Sequence, residues 1–276
     1  MKIPLLPNGR ALKIATENGI VGATIWPAAS TLCDYLVKQK TLLSHKQQLQ
    51  CLELGSGTGV VGVFAASLGF QMVLTDHKPP FASVIPSVPY NPDGTMDLNL
   101  IGNNNDESGQ EYRKSDRLLR LLQANVDQNQ QLFASCEKRP RVMELDWTKE
   151  QHIQDVLAAS EESKGYDLVI GSDLTYASEL HEFLAETMTR LLRKHSAESI
   201  VPSRCLLAHQ DRISNLQGKD SQLINFEKAL RQAGLEVYKR QIEQVDDGEG
   251  KMIHVNILEL RHSSSMFDSE GSCLYR

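Results

Sequence analysis

The sequence has no apolar run long enough to cross a bilayer, so no membrane-spanning helix and no membrane partner are expected. Its opening residues, MKIPLLPNGR, hold one lysine and two prolines without a sustained apolar stretch, which does not fit a secretory signal. Basic excess is missing too. The 29 Lys and Arg are outnumbered by 35 Asp and Glu, for a formal net charge of −6, and no direct nucleic-acid binding is expected from that balance. Five cysteines, at 33, 51, 136, 205 and 273, include no C-x-x-C pair and are odd in number. They read as reduced thiols of an intracellular protein, cytoplasmic and with the nucleus also open. The eight histidines are scattered without H-x-x-x-H or H-E-x-x-H spacing, so no metal is expected. No internal repeat is present.

What is present is an ordinary globular composition, 41% apolar and 23% charged over 276 residues, enough for one sizeable core. QCLEL at 50–54 predicts a strand, and 58–69 has the apolar density of a helix closed by Gly69. QMVLTD at 71–76 predicts a second strand. Strand, glycine loop, helix and strand make a βαβ unit, which implies a parallel sheet.

Residues 77–113 interrupt the pattern with five prolines, the NPDG turn at 91–94 and the NNNDESG run at 103–109. This is turn chemistry, read as an insertion between the second strand and its helix. That helix is expected over 114–130, with Ser115 as its cap and Leu118, Leu119, Leu122 and Val126 as its apolar stripe. The alternation then resumes: strands at 141–145, 166–173 and 204–211, and helices at 149–160, 177–195 and 219–233. Two strands, 235–244 and 251–260, follow with only the VDDGEG turn between them, a hairpin signature. The expected fold is α/β and Rossmann-like: a seven-stranded, mostly parallel sheet with an antiparallel last strand and helices on both faces. One domain is expected over 1–261, with 262–276 as a flexible polar tail.

In such sheets ligands sit beyond the carboxyl ends of the strands. Those ends carry Glu53 and the loop glycines Gly55, Gly57 and Gly59; Asp76; Asp146 and Trp147; Ser172, Asp173 and Tyr176; and His209, Gln210 and Asp211. Gly57-Thr-Gly59-Val-Val-Gly62 satisfies the dinucleotide fingerprint, yet it also suits a loop that holds S-adenosylmethionine. Asp76 could accept the ribose hydroxyls of either. Asp146 could accept from an adenine amine, with Trp147 packed on the ring. Acids decide between the two. A pyrophosphate would be repelled by Glu53 and Asp173, whereas a sulfonium and an ammonium would be attracted. The terminal hairpin also is not required by a dinucleotide fold. The Tyr-x-x-x-Lys pair of one oxidoreductase type is absent, since Leu180 stands four residues after Tyr176.

GATIWPAASTLCDYL at 22–36, LELGSGTGVVG at 52–62, TD at 75–76, LLQANVDQN at 121–129, LDW at 145–147 and SDLTY at 172–176 together resemble the seven-β-strand S-adenosylmethionine-dependent methyltransferases. The resemblance is narrower still to their protein-lysine branch, the methyltransferase-like 21 or family 16 group, and covers about residues 20–260. It implies cofactor contacts from Trp26, Glu53, Gly55, Gly57, Asp76, Trp147 and Ser172. It implies that Asp173 and Tyr176 line the channel for the target amine and are the catalytic residues. Two features depart from the group. Pro27 stands where many members have an acid, a W-P form shared with a branch that modifies arginine, and the 77–113 insertion is longer than usual.

The chemistry implied is in-line displacement, in which a lysine ε-amine attacks the methyl carbon and a thioether leaves. A free lysine, with a pKa of about 10.4, must first lose its proton, and a nearby sulfonium and burial both favour that loss. The partner implied is a lysine-bearing protein, and the enzyme is expected to be a monomer. Transfer to arginine or to a small molecule, and a non-enzymatic interaction module that kept the fold, stay open at this point.

Overall fold

Strand β1, Gln50–Leu54, is buried along nearly its whole length, as an apolar run between two layers of helices must be. It pairs in parallel with β2, Gln71–Asp76, on one side and with β4, Leu168–Ser172, on the other. The remaining strands are β3, Arg141–Glu144; β5, Arg204–Gln210; β6, Leu235–Asp246; and β7, Met252–His262. The computed structural model describes residues 3–17, 22–77, 117–133, 138–194, 201–212, 220–247 and 250–263.

The sheet order is β3-β2-β1-β4-β5-β7-β6. Strands β1 to β5 run parallel, β7 lies antiparallel to β5, and β6 pairs antiparallel with β7 to form the edge. The chain winds outward from β1 through β2 to β3, then returns to the other side of β1 to lay down β4 and β5. Between β1 and β4 the winding reverses. The connections that follow β1 and β4 therefore leave to opposite sides of the sheet there and open a crevice, the place where open α/β sheets bind ligands.

Seven α-helices flank the sheet among the described residues: α1, Pro27–Lys38; α2, Lys40–His45; α3, Val60–Leu68; α4, Arg117–Gln128; α5, Glu150–Ala158; α6, His181–Leu191; and α7, Ser221–Gln232. The pleat sends successive strand residues to opposite faces. Leu168 and Ile170 thus join Leu32 and Leu36 of α1 and Phe64 of α3 in one core layer. Val169 joins Met188 of α6 and Phe226 of α7 in the other. None of the described helices is long and apolar enough to cross a membrane. Cys33, Cys51 and Cys205 are buried free thiols.

The expected fold class is what the structure has, with shifts at element ends. Helix α1 begins at Pro27, directly after Trp26; the missing N–H and fixed φ of proline suit a first helical position. The long helix expected over 177–195 is shorter: Leu174–Tyr176 and Ser178–Leu180 are 3₁₀ turns, Ala177 between them is extended, and the α-helix starts at His181. Gly69 and Gly234 do close their helices with positive φ. The hairpin is tighter than VDDGEG suggested, because β6 continues to Asp246 and Asp247 N–H bonds to the Lys251 carbonyl. The first two residues of the tail expected over 262–276 are held to the sheet. His262 is the last residue of β7, and Ser263 N–H bonds to the Gly234 carbonyl. The rest of that tail, Ser115 and all of the 77–113 insertion except His77 lie outside the described residues.

Candidate functional site

The loop after β1 is shaped by close approach. Gly57 has φ +54°, and a Cβ there would lie 2.3 Å from the Gly22 carbonyl oxygen, a backbone atom that cannot swing aside. Only glycine fits that conformation without strain in that space. At Gly55, also φ +54°, a Cβ would meet Leu174 at 2.5 Å and Trp147 at 3.7 Å. The loop therefore lies between the segment that leads into α1, the turn after β4 and the residue after β3. Its backbone is tied to β2: Ser56 N–H donates to the Thr75 carbonyl at 2.8 Å and Gly57 N–H to Asp76 Oδ2 at 2.6 Å. Gly59 opens α3 in the left-handed conformation.

Two carboxyl groups are buried beside this loop. Glu53 is 1% exposed, and among the described residues neither its buried Oε2 nor the nearby Ser56 Oγ meets a hydrogen-bond partner at good geometry. Burial pushes the Glu53 carboxyl up to about 8; the Asp76 charge adds to the rise, while Ser56 and the Gly62 N–H oppose it. Gly62 belongs to this acid rather than to a ligand, since a Cβ on it would lie 2.3 Å from Glu53 Oε2. Asp76 accepts from Gly57 through Oδ2 and from its neighbour His77 N–H through Oδ1, at 2.8 Å. Burial raises it as well, against the pull of those N–H groups and of the His77 side chain.

The aromatic residues take different places. Trp26 precedes α1 on the segment whose Gly22 touches the loop, and Tyr176 ends the turn after β4. Each is 46% exposed, so they form rim rather than floor. Trp147 is partly buried over Gly55. Asp146 is turned into its own loop. Its Oδ1 accepts the Thr148 N–H at 2.9 Å and the Thr148 hydroxyl at 2.7 Å, which leaves Oδ2 for any further donor. Partial burial raises its carboxyl, yet Thr148 and the charges of His77 and Lys149 bring it below the ordinary range.

Ser172 ends β4, and Asp173 follows it at φ 58°, ψ 39°, a left-handed conformation rare outside glycine. Its N–H is held by the Ala208 carbonyl of β5 at 2.7 Å. A helix-capping role would be the ordinary reading of such an acid, but its side chain makes no capping bond. Instead Oδ2 accepts from Arg212 Nη2 at 2.5 Å, and Oδ1 is buried without a partner among the described residues. Burial lifts the Tyr176 phenol, and the Asp76, Glu179 and Asp173 carboxylates lift it further, so these groups share one electrostatic neighbourhood.

Beneath the turn runs a buried polar chain. Thr175 Oγ1 meets His209 Nδ1 at 2.5 Å, and His209 Nε2 meets Asp220 Oδ2 at 3.0 Å. Asp220 also caps α7, its Oδ1 accepting from Gln222 and Leu223 N–H, and takes the Arg212 N–H. His181 Nε2 meets the Thr175 carbonyl at 3.0 Å. The sequence reading placed His209 at a strand end but gave no role to it, Asp220 or Arg212. An Asp before a helix is an N-cap signal that could have found Asp220. Arg212 lies just beyond the strand-end list, and its pairing spans 39 positions that only the fold brings together.

Comparison with known proteins adds an independent finding. A family model described as "Lysine methyltransferase" matches residues 8–95 and 114–228. The chain is similar to the zebrafish (Danio rerio) protein N-lysine methyltransferase METTL21A, 27% identical over 190 residues that cover 69% of this chain and 63% of that protein. It is also similar to the mouse (Mus musculus) EEF1A lysine methyltransferase 3, 28% identical over 175 residues, 63% of this chain and 53% of that one. The chain thus spans less than two thirds of the length of these curated relatives. Among solved structures, the magnesium protoporphyrin IX methyltransferase of Synechocystis with bound SAM aligns over 86% of this chain and 80% of its own, with 15% identity and a TM-score of 0.48.

Proposed function

The chain belongs to the lysine methyltransferase family, and on that premise we propose that it transfers a methyl group from S-adenosylmethionine to a lysine ε-amine of a partner protein. The observation that carries this reading is the set of acids at the switch point. Glu53, Asp76 and Asp173 lie at the carboxyl ends of three neighbouring parallel strands around a glycine loop, and two of them hold a buried oxygen without a partner among the described residues, Glu53 Oε2 and Asp173 Oδ1. Such a site suits a ligand carrying a sulfonium and an ammonium and opposes a pyrophosphate. The residues present fit the cofactor in that sense, and the close-packed glycine loop gives it backbone to lie against.

Glu53 and the loop from Gly55 to Gly59 would hold the amino-acid part of the cofactor, Asp76 its ribose, and Trp147 its adenine, with Trp26 and Ser172 beside them. Bound there, S-adenosylmethionine supplies an electrophilic methyl group on a positively charged sulfur. The protein must then bring a neutral amine to it, aligned and shielded from water. Asp173 Oδ1 is the acceptor that would orient the amine through one of its N–H bonds. Tyr176, on the rim, would flank the amine's path and offer a π face to the methylated ammonium. The same reading makes the protein a monomer of a reducing compartment, cytoplasm or nucleus, in keeping with its buried thiols.

The test uses proteins from cells that lack this enzyme, incubated with methyl-tritiated S-adenosylmethionine with and without the purified protein. A discrete labelled band that maps to lysine supports the reading. Label mapped to arginine or to a small molecule replaces it with that chemistry.

A further inference from the structure

Arg212 lies two residues past the end of β5, outside every position singled out by resemblance. Its guanidinium grips the inner carboxylate at the mouth of the site: Nη2 donates to Asp173 Oδ2 at 2.5 Å, with the Asp173 side chain 5% exposed and that of Arg212 33%. The arginine is anchored from below as well. Its N–H is held by Asp220, which is itself fixed by His209 and by two amides of α7, and its Nη1 reaches the Gln210 carbonyl at 3.4 Å. One oxygen of Asp173 is thus committed to a permanent cation, while the other, Oδ1, stays buried and without a partner among the described residues.

We propose that Arg212 is a positioning residue and counter-charge, which lets Asp173 orient the target amine without holding that amine in its protonated form. This rests on the lysine reading above. A carboxylate aimed at a lysine has two opposed effects. It orients the N–H bonds, and as an opposite charge it stabilises the ammonium, which has no lone pair to give. A bare carboxylate within contact distance raises an amine's pKa by about 1–3 units. A guanidinium never loses its proton in a protein, so it cancels that charge at every working pH. The neutralised pair keeps Oδ1 as an acceptor, the amine's surplus proton leaves to solvent, and the lone pair is freed.

The other groups that bear on the amine's place sharpen the point. Glu53 comes from β1, Asp76 and His77 from the end of β2, Tyr176 and Glu179 from the turns after β4, His209 from β5 and Asp211 from just past it, and Asp220 from the start of α7. Of these together with Arg212, only Arg212 is a permanent cation. Without it these groups would favour the ammonium.

The experiment has two arms. In the first, n-butylammonium, a probe for the lysine head, is titrated into purified, cofactor-free protein and followed by NMR. Arg212→Gln should bind it at least about fivefold more tightly than wild type. The double variant Asp173→Asn with Arg212→Gln should lose that gain, and Arg212→Lys should match wild type. In the second, initial rates of tritiated methyl incorporation into the lysate proteins are measured from pH 6 to 10. The acid limb of the profile should move up by about one pH unit in Arg212→Gln and return in Arg212→Lys. Arg212→Met, which keeps the aliphatic stem, serves if the Gln variant melts early. Unchanged butylammonium affinity and an unmoved limb in a folded variant overturn the proposal, as does a Lys variant that fails to restore both. If wild type labels no protein at any pH, the lysine reading falls, while the butylammonium arm still judges the counter-charge.

Discussion

Asp173 shows at the scale of one residue how the site is built against the ordinary preferences of its chain. A left-handed aspartate with a buried, unpartnered oxygen is costly on two counts, backbone conformation and unsatisfied polarity, and such outliers gather where chemistry needs them. Asp173→Ala should cut methyl incorporation by at least about a hundredfold and weaken S-adenosylmethionine binding far less, since Glu53, Asp76 and the loop that holds the cofactor are untouched. Initial rates and calorimetry on the same preparation check both halves.

Glu53 makes a separate prediction through pH. Its carboxyl rises from an ordinary 4.5 to about 8 in the folded protein. As pH climbs from 5 to 8, the unfolded chain gives up this proton while the fold retains it, so the free protein loses stability across that window. Glu53→Gln has no proton to give up. Its melting temperature should be flatter between pH 5 and 8 and higher than wild type at pH 8. A bound cation favours the ionised acid, so cofactor affinity of wild type should climb over the same range and that of Glu53→Gln should not.

Elements set these residues by how they end. β1 stops at a loop that only glycine can form against Gly22, and α7 starts at Asp220, which does three things at once. It caps the helix, receives His209, and steadies the backbone of Arg212. Asp220→Ala should lower stability by about 2–4 kcal/mol, the sum of a lost cap and a buried imidazole nitrogen left unpaired. A denaturation midpoint shift with an unchanged slope would confirm it. Elements were also what the sequence revealed best. Buried parallel strands appear as apolar runs, QCLEL and YDLVIGSD among them, and glycines mark the helix ends. The stretch from 177 to 180 was expected to be α-helix because its composition permits one. There the extended Ala177 parts two 3₁₀ turns, after Asp173 in a left-handed conformation held by β5, and no local pattern announces that.

At the scale of the whole molecule, topology gathers what the chain scatters. Strands β1, β2 and β4 bring Glu53, Asp76 and Asp173 to one edge from positions spread over 120 residues. Their membership in a common site was legible because the carboxyl ends of parallel strands must lie together. The Asp173–Arg212 pair and the Thr175–His209–Asp220 chain were not, because side-chain pairing across neighbouring elements depends on rotamers and loop paths that strand order does not fix. The acid surplus around the switch point is a property of the assembled sheet, and it selects a cation.

The central claim is that selection, and titration calorimetry of the purified protein at pH 8 tests it most directly. The account predicts saturable one-to-one binding of S-adenosylmethionine and no heat from NAD at the same concentration. Binding of NAD, with S-adenosylmethionine ignored up to millimolar concentration, would contradict it.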